Sequence, residues 1–93
     1  MKLIELLQLR SFTMEDKQSA IDLLTGLNLS GMSGELRFFN SPEIRNDLAI
    51  CIYWNHDFNT RIKSELAHTL SELLKHHGWI SHSIWKPLKE LSC

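Results

Sequence analysis

The order of the predicted strands and helices constrains the fold of this chain more than any other feature. Its 93 residues suit a single domain spanning residues 1–93. Short apolar runs bounded by turn residues predict strands, and apolar residues at helical spacing behind a capping residue predict helices. The strands are predicted over residues 3–12, 35–40, 48–55 and 79–85, and the helices over residues 14–27 and from about residue 60 to 77. The order is therefore β-α-β-β-α-β.

Capping signals and apolar spacing support the two helices. Thr13, with Asp16 three residues later, matches an N-terminal capping arrangement. Asn59 or Thr60 is expected to cap the second helix, and Gly78 to end it. The buried faces are expected to comprise Ala20, Ile21, Leu24 and Leu27 in the first helix, and Ile62, Leu66, Leu70 and Leu73 in the second.

This order predicts an α+β fold of the ferredoxin-like type. Two right-handed crossovers place both helices on one face of a four-stranded antiparallel sheet. The other face then lies open in a lone copy. A sheet with one wet face should alternate apolar and polar residues, but here Ala49, Cys51 and Tyr53 oppose an equally apolar set in the same strand. Because monomers rarely expose a large apolar surface, we expect a homodimer in which a second copy covers the open face.

The composition disfavours several other classes of protein. The net charge of −1 is spread over mixed acidic and basic residues, so a nucleic-acid partner is not expected. No apolar run approaches the roughly 20 residues of a membrane span. Cys51 and Cys93 do not form a disulfide framework, and the spacing of the five histidines matches no metal site. A cytoplasmic protein without a bound metal is the expectation.

The strand ending Tyr53-Trp54-Asn55, followed by a polar turn and a helix, points to a known group. Together with the element order and the last strand, Gly78 to Trp85, it resembles the dimeric α+β barrel proteins, and among them the antibiotic-biosynthesis-monooxygenase-like family. The resemblance covers nearly the whole chain. It implies a small aromatic ligand. The proteins of this group include cofactor-free oxygenases of quinol-like substrates, heme-degrading enzymes and proteins without an assigned activity.

The heme-degrading branch of that group is matched poorly. Such proteins use an Asn on a strand, a Trp and a helical His. The first strand of this chain offers Gln8 instead of Asn, and Phe58 lies where the Trp would be needed. His68 is the nearest helical His, but the helical wheel places it opposite the apolar face, toward solvent. No heme or other cofactor is therefore predicted.

His82 is the candidate catalytic residue. It alternates with Ile80 and Ile84 and should share their face of the sheet, where a neutral imidazole beside a cavity could act as a base. The same position also suits a histidine that only packs in the core. The predicted ligand pocket is lined by Trp54, Tyr53, Phe38 and His77.

The pocket residues have structural interpretations as well. Trp54 suits core packing, and His77 at the end of the second helix could contact the last carbonyls of that helix. Two functions therefore remain open. One is a cofactor-independent monooxygenase acting on a small aromatic or quinol-like substrate. The other is a non-catalytic dimeric module for small-molecule binding or assembly.

Overall fold

A computed structural model describes residues 3–28, 34–54 and 64–88 of the chain. Its elements are β1 (Leu3–Ser11), α1 (Met14–Thr25), β2 (Gly34–Asn40), β3 (Asp47–Trp54), α2 (Glu65–Leu74) and β4 (Gly78–Trp85). The predicted β-α-β-β-α-β order is confirmed. Several residues used in the sequence predictions lie outside the described ranges, namely Asn55, Phe58, Asn59, Thr60, Ile62 and Cys93.

The four strands form one antiparallel sheet in the order β2-β3-β1-β4. β1 therefore lies inside the sheet, between β3 and β4, while β2 and β4 form its edges. Both helices pack on the same face, because residues of α1 and α2 share one apolar cluster with β1 and β3. The core consists of Leu7, Leu9, Ala20, Leu24, Leu48, Ile50, Ile52, Ala67, Leu70 and Leu74. The ferredoxin-like fold is confirmed.

The helix ends differ in part from the predicted ones. The Thr13 hydroxyl accepts a hydrogen bond from the Asp16 backbone N–H, as the capping pattern predicts. In α2, Ser64 caps the first turn by accepting from the Ala67 N–H at 3.1 Å. The helix ends at Leu74, before the predicted end.

Gly78 does not end a helix, as the sequence analysis expected, but begins β4. A Cβ atom at this position would lie 2.7 Å from Leu9 Cδ1 and closer still to the Arg10 carbonyl oxygen. The close approach of two strand backbones is therefore what requires glycine here.

The buried face of α2 is rotated relative to the predicted one. Ala67, Leu70 and Leu74 are buried, whereas Leu73 is exposed. Helical geometry explains the difference, since residues 67, 70 and 74 are separated by three and four positions and share one stripe. The predicted apolar face of α1 is confirmed, with Ala20 and Leu24 buried and Ile21 and Leu27 packed against them. Neither described helix is long and apolar enough to cross a bilayer.

The open face of the sheet is apolar over only part of its area. Its rows, read from the strand pairing, are Glu35-Tyr53-Ile4-Trp85, Arg37-Cys51-Leu6-Ser83, Phe39-Ala49-Gln8-Ser81 and Asp47-Arg10-Trp79. The first two rows carry most of the apolar side chains, whereas the last holds the ion pair between Arg10 and Asp47. The open face therefore combines apolar rows with a row that carries an ion pair.

Candidate functional site

A buried carboxylate in the middle of the sheet organises the candidate site. Leu3, Glu5, Leu7 and Leu9 alternate on the helix-facing side of β1 and are all buried. The direct neighbours of Glu5 are Ile52 on β3 and Ile84 on β4. Trp54 and His82 occupy the diagonal positions, where long side chains reach one another across an antiparallel pair. The register thus brings three polar groups from three strands together.

Both oxygens of the Glu5 carboxylate have hydrogen-bond partners. Trp54 Nε1–H donates to Oε1 at 2.7 Å. His82 Nε2 lies 2.7 Å from Oε2, and the backbone N–H of Ser64 donates to the same oxygen at 3.4 Å. The Glu5 side chain is completely buried, and that of His82 is 9% exposed. We name these residues, Glu5, Trp54, Ser64 and His82, the Glu5 cluster.

The Glu5 cluster surrounds a completely buried carboxyl group with polar partners. A buried polar group is costly unless hydrogen bonds replace its hydration. Glu5 accepts hydrogen bonds from Trp54 and Ser64 and contacts His82 Nε2. The Ser64 N–H belongs to the N-terminal end of α2, where the helix dipole favours a negative charge. A carboxylate that accepts a hydrogen bond from an imidazole N–H also fixes the tautomer and orientation of that ring.

His82 connects the Glu5 cluster to a groove between α2 and β4. The groove has a volume of about 400 Å³ and is lined by His68, Ser71, Glu72, Lys75, Ile80 and His82. This volume lies in the range of small-molecule sites. Because β4 is an edge strand, the groove opens at the side of the sheet.

The structure places the predicted site residues in different parts of the molecule. His82 and Trp54 meet at Glu5. Tyr53 lies on the opposite face of the sheet, where the Arg37 guanidinium packs 5.1 Å from the ring centroid. Phe38 faces the helices from the edge strand β2, in a separate cavity of about 150 Å³ beside α1. The structure does not bring Tyr53 or Phe38 to the groove.

His77 lies at the other end of the sheet, in the turn before β4. Its Nδ1 is 3.1 Å from Asp16 Oδ1 in the first turn of α1. The ring therefore contacts an aspartate and not the last carbonyls of α2, which was the structural interpretation from the sequence. This contact, followed by the Thr13 hydrogen bond, lowers the pKa of Asp16.

Cys51 is unsuited to nucleophilic chemistry. It lies on the open face of the sheet, and burial raises the pKa of its thiol more than a hydrogen bond with Tyr53 lowers it. Thiolate is the reactive form. Within residues 3–28, 34–54 and 64–88, no three His, Cys, Asp or Glu side chains are arranged to hold a metal ion.

Glu5 is a candidate site residue that the sequence analysis did not include. A signal was available, since Glu5 interrupts the alternating series Leu3, Leu7 and Leu9, and a carboxylate at a buried strand position needs partners. The identity of those partners depends on the pairing of β1 with β3 and β4, which the sequence does not specify.

With this geometry in place, comparison with known proteins gives a consistent result for the fold. No protein-family model matches the chain, and no curated protein does. Solved structures do match. A protein from Deinococcus radiodurans described as a "putative antibiotic biosynthesis monooxygenase" superimposes with a TM-score of 0.65 at 9% identity, covering 98% of this chain and 97% of the other. The fold is shared.

Two further structures agree. One, from Bordetella bronchiseptica and described in the same words, has a TM-score of 0.57 at 11% identity, covering 94% of this chain and 98% of that one. Another is a Bacteroides thetaiotaomicron protein described as being of unknown function and a "possible oxidoreductase". It has a TM-score of 0.64 at 13% identity, covering 90% of this chain and 95% of that one. The chain therefore has the fold of monooxygenase-like proteins, and its activity has to be inferred from its own residues.

Proposed function

We propose that this protein is a cofactor-independent monooxygenase that acts on a small aromatic or quinol-like substrate, with His82 as the general base. The observation that carries the proposal is the 2.7 Å contact between His82 Nε2 and the buried Glu5 carboxylate. The His82 ring also lines the groove. A carboxylate paired with a histidine in this way holds the ring in one orientation. The shared fold with monooxygenase-like proteins is consistent with this chemistry.

The reaction needs only a base and molecular oxygen. The neutral His82 ring acts as the base. It removes a proton from an acidic ring carbon of the substrate, and the resulting carbanion is oxidised by O₂ as a C–O bond forms. The hydroperoxide then loses water to leave a carbonyl, so that R₂CH₂ and O₂ give R₂C=O and H₂O. One oxygen atom enters the product and the other enters water.

Oxygen uptake with anthrone tests this proposal, because its methylene carbon is acidic and its product is the corresponding quinone. The wild-type protein should consume O₂ above the rate of spontaneous oxidation, and ¹⁸O from ¹⁸O₂ should appear in the new carbonyl. His82→Gln should remove the excess rate. His76→Gln is the matched control, since His76 is exposed and does not line the groove. No excess uptake by the wild-type protein, or equal uptake by His82→Gln, would refute the proposed role.

The non-catalytic module is the second candidate. It is favoured by the fact that Glu5 is fully hydrogen-bonded by Trp54, Ser64 and His82, an arrangement that also suits a purely structural role. In that case anthrone or a quinol would raise the melting temperature of the protein without any oxygen uptake.

We also propose that a second copy of the chain covers the open face of the sheet. Trp79 and Trp85 are 72% and 58% exposed on that face. Ile4, Leu6 and Tyr53 lie beside Trp85 in the apolar rows. Sedimentation equilibrium at micromolar concentration should give the mass of a dimer, and Leu6→Lys should give a monomer with an unchanged circular dichroism spectrum. A wild-type monomer would refute this proposal.

A further inference from the structure

The rim of the groove above His82 carries Lys75 and His68 beside the carboxylate of Glu72. Four side chains of α2 and the following turn meet there, namely His68, Ser71, Glu72 and Lys75. Lys75 Nζ lies 2.7 Å from Glu72 Oε2. His68 and His76 also lie near enough to influence the same carboxylate electrostatically. One acidic group therefore faces three basic groups.

The Lys75–Glu72 pair is well placed to exchange partners. Both side chains are 54% exposed, and an exposed ion pair one helical turn apart contributes little to stability. A ligand anion can therefore take the place of Glu72 beside Lys75 at small cost. The pKa of Glu72 is lowered mainly by its hydrogen bond with Lys75 and further by His68 and His76, which is consistent with a positive potential at the rim.

The floor of the groove has a different character. It is formed by Ile80 and His82 on the helix-facing side of β4. Ile80 packs against the main apolar cluster, so this end suits a ring and not a charged group. A ligand that fits both ends carries an aromatic ring toward His82 and an anionic group toward His68 and Lys75.

We propose that the groove selects aromatic ligands bearing an anionic group, such as a carboxylate, which is bound by His68 and Lys75 while the ring lies against Ile80 and His82. This inference rests on the groove used in the proposed function and names the class of substrate for it. His68 and Lys75 are specificity-determining residues here and take no part in the proton transfer.

Binding of two matched probes under anaerobic conditions tests the inference without turnover. The probes are 1-hydroxy-2-naphthoate and 1-naphthol, which share the ring and hydroxyl and differ in the carboxylate. Isothermal titration calorimetry at pH 7 should show that the carboxylate probe binds about ten-fold more tightly, as expected for one charge-assisted contact. Lys75→Gln and His68→Gln should each reduce this preference, and the double variant should remove it.

Glu72→Gln gives the sharpest prediction. Removing the carboxylate that competes for Lys75 should strengthen binding of 1-hydroxy-2-naphthoate about three-fold or more and leave 1-naphthol unchanged. Lys86→Gln is the matched control, because Lys86 is exposed and does not line the groove. This control should retain the full preference.

Equal binding of the two probes, no binding of either, or a preference that survives in the His68→Gln/Lys75→Gln double variant would overturn the inference. The outcome is separate from that of the proposed oxygenase activity. An anion preference without oxygen uptake supports this inference and refutes the proposed chemistry. Oxygen uptake with anthrone but no anion preference supports the proposed chemistry and refutes this inference.

Discussion

The imidazole of His82 and the carboxylate of Glu5 form a 2.7 Å contact between an edge strand and an inner strand of the sheet. Neither residue is the direct pairing partner of the other, because Glu5 pairs with Ile84 and His82 pairs with Leu7. The contact follows a diagonal of the antiparallel ladder. It therefore depends on the register of β1 with β4, and it links the candidate base to the core of the molecule.

Replacing Glu5 with glutamine should destabilise the protein by about 1–3 kcal/mol. Three nitrogen atoms now contact the Glu5 carboxylate, namely Trp54 Nε1, Ser64 N and His82 Nε2. The NH₂ group of glutamine cannot accept a hydrogen bond, so at least one of these nitrogens would face another donor. Urea denaturation measures the change in the free energy of unfolding. Glu72→Gln, which breaks an exposed ion pair with Lys75, should cost less than about 0.5 kcal/mol. Equal effects of the two variants would contradict this account.

Trp54→Phe removes the hydrogen-bond donor of Glu5 Oε1 while keeping an aromatic ring. A buried acceptor without its donor costs about 1–3 kcal/mol. Trp85→Phe provides the comparison when both changes are made in the Leu6→Lys monomer. There the Trp85 Nε1–H donates to Ser83 Oγ at 2.8 Å on an exposed face, where water can replace the bond. Thermal unfolding should show a clearly larger drop in Tm for Trp54→Phe. The two drops would be similar if the burial of Glu5 were unimportant.

Gly78→Ala should destabilise the protein by more than about 2 kcal/mol, since the added methyl group would collide with the backbone of Arg10. Gly26→Ala is the control. There the new methyl group would lie 3.4 Å from the Asp22 carbonyl oxygen, and the change in the free energy of unfolding should stay within about 1 kcal/mol. A well-tolerated Gly78→Ala would show that β1 and β4 do not approach as closely as described.

The pH dependence of stability should include a contribution from Asp16. Its pKa lies below the ordinary value of 3.8, mainly because of the hydrogen bond with His77 and then that with Thr13. A lowered pKa means that the stabilisation is present above the ordinary value and is lost as the pH falls through the lowered one. Asp16→Asn should therefore be less stable than the wild type at pH 6, and the difference should shrink below about pH 4.

Urea midpoints measured between pH 6 and pH 2 test this dependence. Glu15→Gln is a matched control, since Glu15 lies in the same first turn of α1 but makes no contact with His77 among the described side chains. At pH 6 the urea midpoint of Glu15→Gln should differ from that of the wild type by less than the midpoint of Asp16→Asn does. A constant difference between Asp16→Asn and the wild type over the whole range would contradict the assignment.

The sequence predicted the architecture well because the architecture depends on local signals. The apolar runs of β1 and β3, the Thr13 cap and the spacing of Ala20 and Leu24 are each readable within one element. The predictions for α2 were weaker. Several of its supposed markers lie outside the described residues, and its buried stripe uses Ala67 and Leu74 in place of Leu73.

The site was predicted only in part because it depends on pairing between strands. Placing His82 on the same face as Ile80 and Ile84 required only the period of two in β4, and the strand pairing agrees with it. Grouping Tyr53 with Trp54 ignored the same period, since adjacent residues of a strand point to opposite faces. Trp54 and His82 lie 49 and 77 positions after Glu5 in the sequence. Their contacts with Glu5 depend on the register of the strands, which no local pattern supplies.

Anaerobic mixing of the protein with anthrone is the most direct test of His82 as the base. Without oxygen the reaction should stop at the coloured anthrone anion, whose absorbance can be followed in a stopped-flow instrument. The wild-type protein should form the anion in a saturable step, and His82→Gln should form it at least about 100-fold more slowly, the usual contribution of a general base. Anion formation at the same rate in both proteins would contradict the central claim that the Glu5–His82 pair removes the substrate proton.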